Sequence, residues 1–290
     1  MNKLADYQFI DIHYHANPDL YVRRWHALKA GQIYQSLNGA VFLTTHLGAT
    51  SVQATIAQQF GLPVFPSLVL NHIAGGINYR VVLHALNEYQ PIITSKMLVH
   101  FPTITGRNFQ AKLSRQLSNS ALSQYSQIGE ALFNEKQKLR KNAIDILKLA
   151  QDYPIVLATG HASTEEIYTL IDACIRYNVP ALLLTQPAHP LSNLKASSLQ
   201  ELAKNEFIWI EQTTLTYLLG HQDKEDFATV LKTIPQVIYS SDLGQENQMD
   251  IENWIRYSNK LFDELCLSAQ RKEELIRTNA IKLLSEHLRS

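Results

Sequence analysis

Eight short apolar runs recur along this chain, each followed by a stretch of different periodicity, and that alternation constrains the fold more than any other feature. The runs are "YQFIDIHYH" (7–15), "GAVFLTTH" (39–46), "PVFPSLVLN" (63–71), "KMLVHFPT" (96–103), "PIVLATGH" (154–161), "PALLLTQPAH" (180–189), "EFIWIEQT" (206–213) and "QVIYSSDLG" (236–244). Their brevity, flanking Gly and Pro and near-continuous apolar character suit strands covered on both faces, as in a parallel sheet. Between them, "SVQATIAQQF" (51–60) sets Val52, Ile56 and Phe60 on one side of a helix. "TEEIYTLIDACIRYN" (164–178) does the same with Ile167, Leu170, Ile171, Cys174 and Ile175. Ser163 or Thr164 can cap that second helix, Glu165 and Glu166 suit its positive end, and Asn178 and Pro180 stop it.

Eight strands alternating with helices is the count of a (β/α)8 TIM barrel, although an open doubly wound sheet gives the same alternation. The expectation is a single α/β domain over residues 1–290, with a long insertion after strand four and closing helices at the C-terminus. The insertion begins with "TGRNFQAKLSRQLSNSALSQYSQIG", rich in Ser, Gln and Asn, and continues with "EALFNEKQKLRKNAIDILKLA", which reads as a helix. So long a polar segment at 104–130, beside the rim of a barrel, is expected to act as a lid. "MDIENWIRYSNKLFDELCL" and "KEELIRTNAIKLLSEHL" supply the two closing helices.

Composition excludes several function classes. Lys+Arg and Asp+Glu are 26 each, so the net charge is zero, against a general nucleic-acid binder or a polybasic membrane-surface protein. The longest apolar runs are too short to span a bilayer, and "MNKLADYQ" lacks the apolar core of a secretory signal. Cys174 and Cys266 form no CxxC pair and read as thiols in a reducing compartment, which predicts a cytoplasmic protein. The partner expected is a small-molecule substrate, with no nucleic acid or membrane; nothing opposes a homo-oligomer. There is no G-x-S-x-G elbow, P-loop or G-x-G-x-x-G fingerprint.

The histidines fall where the fold would use them. His13 and His15, His46, His100, His161 and His189 sit near the C-terminal ends of proposed strands one, two, four, five and six, with His72 just past strand three. In a parallel barrel those ends form one rim, where the active site is built. Strand seven ends near Glu211 and strand eight places Asp242 on the same rim. Alternation along a strand points His13 and His15 the same way, as an H-x-H metal pair requires. Imidazole and carboxylate together are the donor set of hydrolytic Zn2+ or Mn2+ sites, where water becomes a nucleophile at neutral pH. His26, His84, His221 and His287 lie in helical patterns and carry little functional weight. His72 and His100 divide evenly between supporting the site and serving structure.

On "DIHYH", "TGH", "PAH" and "SSD", the chain resembles the amidohydrolase superfamily of metal-dependent hydrolases. "DIHYHANPD", "VLNHIAGGIN", "FPT", "LATGHAS" and "SSDLGQ" further resemble its DUF6282 branch. The resemblance runs over nearly the whole chain and is weakest at 104–130. It implies a barrel holding one or two divalent ions, Zn2+ first and Mn2+ second, with His13, His15, His161, His189 and Asp242 as ligands. It also implies Asp242 as general base, and His189 as a catalytic residue where only one ion is bound. Strand four ends "LVHFPT" and lacks the bridging lysine or glutamate usual in binuclear members; Lys96 lies at its wrong end. Glu211, His46, His100 and His72 are candidates for a second metal or for support of the first. Arg107, Arg24 and Asn71 are candidates for substrate binding. The implied reaction is hydrolysis of a C–N or C–O bond in an amide, cyclic amide, lactone or ester. A phosphoesterase on the same site and a non-catalytic metal- or ligand-binding barrel are the alternatives.

Overall fold

The computed structural model describes residues 3–107 and 112–286. Four residues of the expected lid, 108–111, and His287 therefore lie outside the described residues. Eight parallel strands pair in chain order, β1 (Phe9–His15), β2 (Gly39–Thr44), β3 (Val64–Val69), β4 (Met97–His100), β5 (Ile155–Ala158), β6 (Leu182–Leu184), β7 (Ile208–Thr213) and β8 (Val237–Ser240). Closure comes just beyond β8, where Asp242 donates its backbone N–H to the His13 carbonyl and His15 donates to the Leu243 carbonyl, both at 2.9 Å. This is the expected TIM-type barrel. The strands are shorter than the apolar runs; in all but β1 and β7 the last residues of the run turn into the loops of the C-terminal rim.

The strands are covered outside by α1 (Ala27–Ser36), α2 (Ser51–Gln59), α3 (Tyr79–Glu88), α4 (Lys141–Asp152), α5 (Thr164–Arg176), α6 (Ala196–Leu202), α7 (Thr214–Leu218), α8 (Lys224–Thr233) and α9 (Ile251–Glu264). One core lies between helices and sheet, with Val41, Val99, Leu157, Ile210 and Tyr239 from the strands meeting Tyr34, Ile146, Leu170 and Trp254 from the helices. A second fills the barrel with Ile10, Ile12, Phe42, Phe65, Leu98, Val156, Leu183 and Ile238, so the lumen is packed and only the rim is open. Leu4 and Tyr7 before β1, and Ala280, Leu283 and Leu284 near the C-terminus, plug its lower end. Among the described residues no helix is long and apolar enough to cross a membrane.

Three local expectations are corrected. Val52, Ile56 and Phe60 do share a face of α2, but it faces solvent, at 46%, 41% and 70% exposure; Ala54 and Ala57 pack on the barrel instead. Small residues let α2 approach the sheet closely, which the apolar periodicity misassigned. The segment 130–140 is not helical. The Asn134 side chain accepts from the Lys136 and Lys138 amides, Phe133 bridges to Leu139, and the helix starts only at Lys141. The last expected helix is α10 (Ala269–Glu273), a π-helical turn (Glu274–Thr278) and α11 (Asn279–Leu284) in succession. The helix over 164–176 is as expected, with a full capping box between Ser163 and Glu166, although Ile175 is exposed.

One irregularity positions the site. Along β1, Asp11 pairs with Val41 but Tyr14 pairs with Leu43, so β1 spends three residues where β2 spends two. Ile10 and Ile12 face the lumen; strict alternation would send Tyr14 inward with them and His13 outward. The extra residue reverses the phase, and Tyr14 packs in the outer core while His13 and His15 turn over the lumen. The buried Asp11 carboxylate fills the bulge, accepting from the His13 amide at 3.2 Å, the Ser241 amide at 3.0 Å and the Tyr34 hydroxyl at 2.5 Å. Burial pushes its pKa up to about 6, against those bonds.

Candidate metal centre

Each β1 histidine faces carboxylates on both ring nitrogens. His13 Nδ1 lies 2.9 Å from Glu211 Oε1 of β7, and its Nε2 lies 3.6 Å from Asp242 Oδ1. His15 Nε2 lies 3.3 Å from the same Asp242 oxygen, and its Nδ1 faces Asp19 Oδ2 at 3.5 Å. The donor atoms of His13, His15 and Asp242 lie within 4.8 Å of one another. The 3.3–3.6 Å separations match the ligand–ligand spacing of about 3.4 Å that bond lengths near 2.1 Å give around a tetrahedral ion. Asp242 is held in the left-handed region at φ 51°, a conformation that a non-glycine residue keeps only when its surroundings enforce it.

The electrostatics are those of a cation site. Burial works against a charged His13, but Glu211 and Asp242 outweigh it and raise its pKa to about 9. Burial likewise disfavours ionised Asp242, yet His13 and His15 hold it well below the usual carboxylate range.

A second group, His15, Asp19 and His46, also clusters within 4.8 Å. Here Asp19 is already engaged. Its Oδ1 accepts from the Leu20 and His46 amides at 2.7 Å and the Thr45 hydroxyl at 2.9 Å, and Arg23 pairs with Oδ2 at 2.6 Å through two nitrogens. Burial opposes its charge, but His46 and Arg23 keep its pKa well below normal. A guanidinium so close repels a second cation, so this group anchors the loops after β1 and β2. Burial lowers the His46 pKa to about 4, and its ring stacks on His15 at 4.9 Å.

His161 and His189 line the same cavity but stand outside both donor groups. Gly160 brings His161 there: at φ 58° its backbone passes so close to β4 that an added Cβ would fall 2.0 Å from the Phe101 carbonyl oxygen. His161 Nδ1 lies 2.9 Å from the Thr103 carbonyl, which requires a proton on Nδ1 and leaves a lone pair on Nε2. In His189, Nδ1 accepts the Leu191 amide at 3.3 Å, so the proton sits on Nε2. The rings stack 4.3 Å apart at 11°, and two parallel rings cannot both bring an in-plane lone pair to one ion. Burial holds both neutral, lowering His161 to about 3 and, with His161 itself, His189 to about 2.

The cavity measures about 610 Å³. The segment after β4 roofs it through Thr103–Arg107, Lys112, Leu113, Arg115, Ser126 and Gln127. Residues 116 and 118 of that segment bond to 20 and 22 of the loop after β1, which fixes the roof to the site. Asp242 is the sole carboxylate among the lining residues, which include three cations. Arg107 pairs with buried Glu166 at 2.6 Å and Lys112 donates to the Leu219 carbonyl, but no carboxylate among the described residues pairs with Arg115. Its guanidinium sits over the Tyr21 ring at 5.1 Å and depresses the pKa of both Asp242 and His161.

Other expected site residues lie elsewhere. Arg24 donates to the Glu246 and Gln248 carbonyls and tethers the loop after β8, away from the cavity lining. Asn71 is fully buried and clamps the loop after β4 by accepting from the Thr103 and Ile104 amides. His72 is half-exposed against Glu130, outside the cavity. His100 lies on the barrel floor, 5.6 Å ring to ring from His13, with Nε2 buried and unpartnered. Tyr21 and Arg115, whose places after the histidine pair and in the long connection suggest a pocket role, line the cavity; His221, which its helical surroundings discounted, lines it too, and Asp19 joins the site without any motif to flag it. The "NPD" that carries Asp19 follows the histidine pair directly, and that proximity was the available signal.

Comparison with known proteins agrees with this architecture. The profile of a family of unknown function, DUF6282, matches residues 8–211, ending before β8 and Asp242. No curated protein matches the sequence. Among solved structures, an Agrobacterium tumefaciens protein superposes with TM-score 0.57 at 8% identity, covering 96% of this chain and 95% of that one. A Pseudomonas putida protein proposed to be a 2-pyrone-4,6-dicarboxylic acid hydrolase gives 0.53 at 12% identity over 95% and 97%. A zinc-bound amidohydrolase from Burkholderia multivorans gives 0.50 at 10% identity over 95% and 98%. At such identities the likeness establishes the shared barrel.

Proposed function

The chain belongs to the DUF6282 family, and for it we propose metal-dependent hydrolysis of a small anionic molecule at an amide, cyclic amide, lactone or ester carbonyl. The observation that carries this reading is the convergence of His13, His15 and Asp242 within 4.8 Å, with both His13 nitrogens facing carboxylates. An all-nitrogen-and-oxygen donor set of this size favours zinc. His161 Nε2 carries the lone pair suited to a fourth position. One ion is preferred, because Arg23 neutralises Asp19 and the stacked His189 carries its proton on Nε2. A divalent ion held there would polarise the carbonyl and acidify water.

The chain's own groups supply the rest. Asp242, ionised at neutral pH, takes the proton of the attacking water and returns it to the leaving group. His189 Nε2–H is a donor for the developing oxyanion. Arg115, the cavity cation without a carboxylate partner, receives an anionic substituent; the Pseudomonas putida neighbour, named for a dicarboxylic acid, is compatible with this. Both cysteines are free, in keeping with a cytoplasmic setting.

The test is metal analysis of full-length protein purified without chelator, followed by turnover of a panel of carboxylated lactones, cyclic amides and N-acyl amino acids. Stoichiometric zinc is expected, with Asp242→Asn retaining metal while losing roughly 1,000-fold in kcat. Protein that carries and takes up no divalent ion sinks the proposal.

A further inference from the structure

A histidine ligates through Nε2 only if its other nitrogen keeps the proton, and an acceptor beside Nδ1 enforces that choice. We propose that Glu211 is a positioning residue that fixes the His13 ring with its proton on Nδ1 and its Nε2 turned to the metal. The inference rests on the metal reading above. Glu211 is fully buried on β7, and its Oε1 takes both the His13 Nδ1–H at 2.9 Å and the Ser240 hydroxyl at 2.7 Å. Ser240 thereby fixes the carboxylate that fixes the ring. Glu211 Oε2 is buried with no partner, a costly arrangement for a group serving stability alone. Glu211 stands in neither cluster of converging donors, so it acts through the His13 ring.

Full-length wild type, Glu211→Gln and Glu211→Leu are stripped of metal, and zinc affinity is measured by competition with a chromophoric chelator at rising pH, the values being compared on the plateau where protons no longer compete for His13. Gln keeps an oxygen acceptor for Nδ1–H; Leu removes it. Glu211→Leu should weaken zinc binding by about 10- to 100-fold, while Glu211→Gln stays within about fivefold of wild type. The Co2+ visible spectrum of the Leu variant should change in shape, that of the Gln variant should not. Ring 15N shifts of the metal-free proteins, read above the His13 pKa of about 9, should show the Nδ1–H tautomer in wild type and Gln and a mixture in Leu. Equal zinc affinities in wild type and Leu, or an unchanged tautomer in Leu, overturn the proposal. If wild type takes up no zinc, the metal reading fails, and the tautomer measurement still decides the role of Glu211.

Discussion

At the proposed centre zinc and a proton would compete for His13, and the structure sets the scale of that competition. In the metal-free protein Glu211 and Asp242 overcome burial and hold the His13 pKa at about 9, whereas Asp242 stays ionised and His161, lowered to about 3, stays neutral throughout the neutral and alkaline range. At pH 7, two units below that pKa, about 1% of His13 has a free Nε2, a handicap of about 2.7 kcal/mol on zinc binding. Apparent affinity should therefore rise about tenfold per pH unit from pH 7 to 9, about 100-fold in all, and then level off. The sign for metal-free stability is opposite. A raised histidine pKa stabilises the fold fully below the unfolded value near 6.5, and that contribution is lost as pH rises through 9. Competition titrations at a series of pH values, in buffers that do not bind zinc, measure the slope. An affinity flat across this range, or one falling with pH, would refute the account of the His13 environment.

Two further outcomes are expected. Gly160→Ala combines a left-handed residue with a Cβ 2.0 Å from a backbone oxygen, a cost of about 3 kcal/mol. At about 2.1 cal/mol/K per residue over 290 residues, thermal denaturation should show Tm lower by about 5 °C; an unchanged Tm contradicts the tight passage that delivers His161. Arg115→Met should raise KM for a carboxylated substrate about tenfold with kcat within about twofold, as expected for a charged hydrogen bond lost equally from ground and transition states. Equal KM values in steady-state kinetics would remove Arg115 from substrate binding.

Much of this was legible in the residues because parallel strands buried on both faces write themselves as apolar runs. Punctuation by Gly and Pro marked their ends, and the chemistry-bearing residues follow those ends. "DIHYH" and "SSD" thus mark the three side chains that converge on the rim. The phase reversal on β1 was not legible: the Asp11 carboxylate that fills the bulge is held by Tyr34 and by Ser241, the latter 230 positions later. Asp19 looks like an ordinary loop charge until the fold buries it against Arg23. Nor could periodicity show that α2 turns Ala54 and Ala57 inward and leaves Phe60 in solvent, since packing distance to the sheet decides between small and large residues. Arg24 and Asn71 were chosen for proximity to motifs, and each instead secures a neighbouring loop.

The bulge also ties chemical competence to completion of the ring. Its carboxylate is satisfied by α1 on one side and by the chain just past β8 on the other, and the backbones of His13 and His15 are clasped by Asp242 and Leu243. The histidines come early in the chain, and the residues that turn them over the lumen come last. A polypeptide emerging from synthesis therefore carries the H-x-H pair long before it has a place for an ion. Only when the final strand closes against the first do ligands, proton acceptor and oriented rings exist together. Metal capture at the proposed centre would thus report that the barrel has shut.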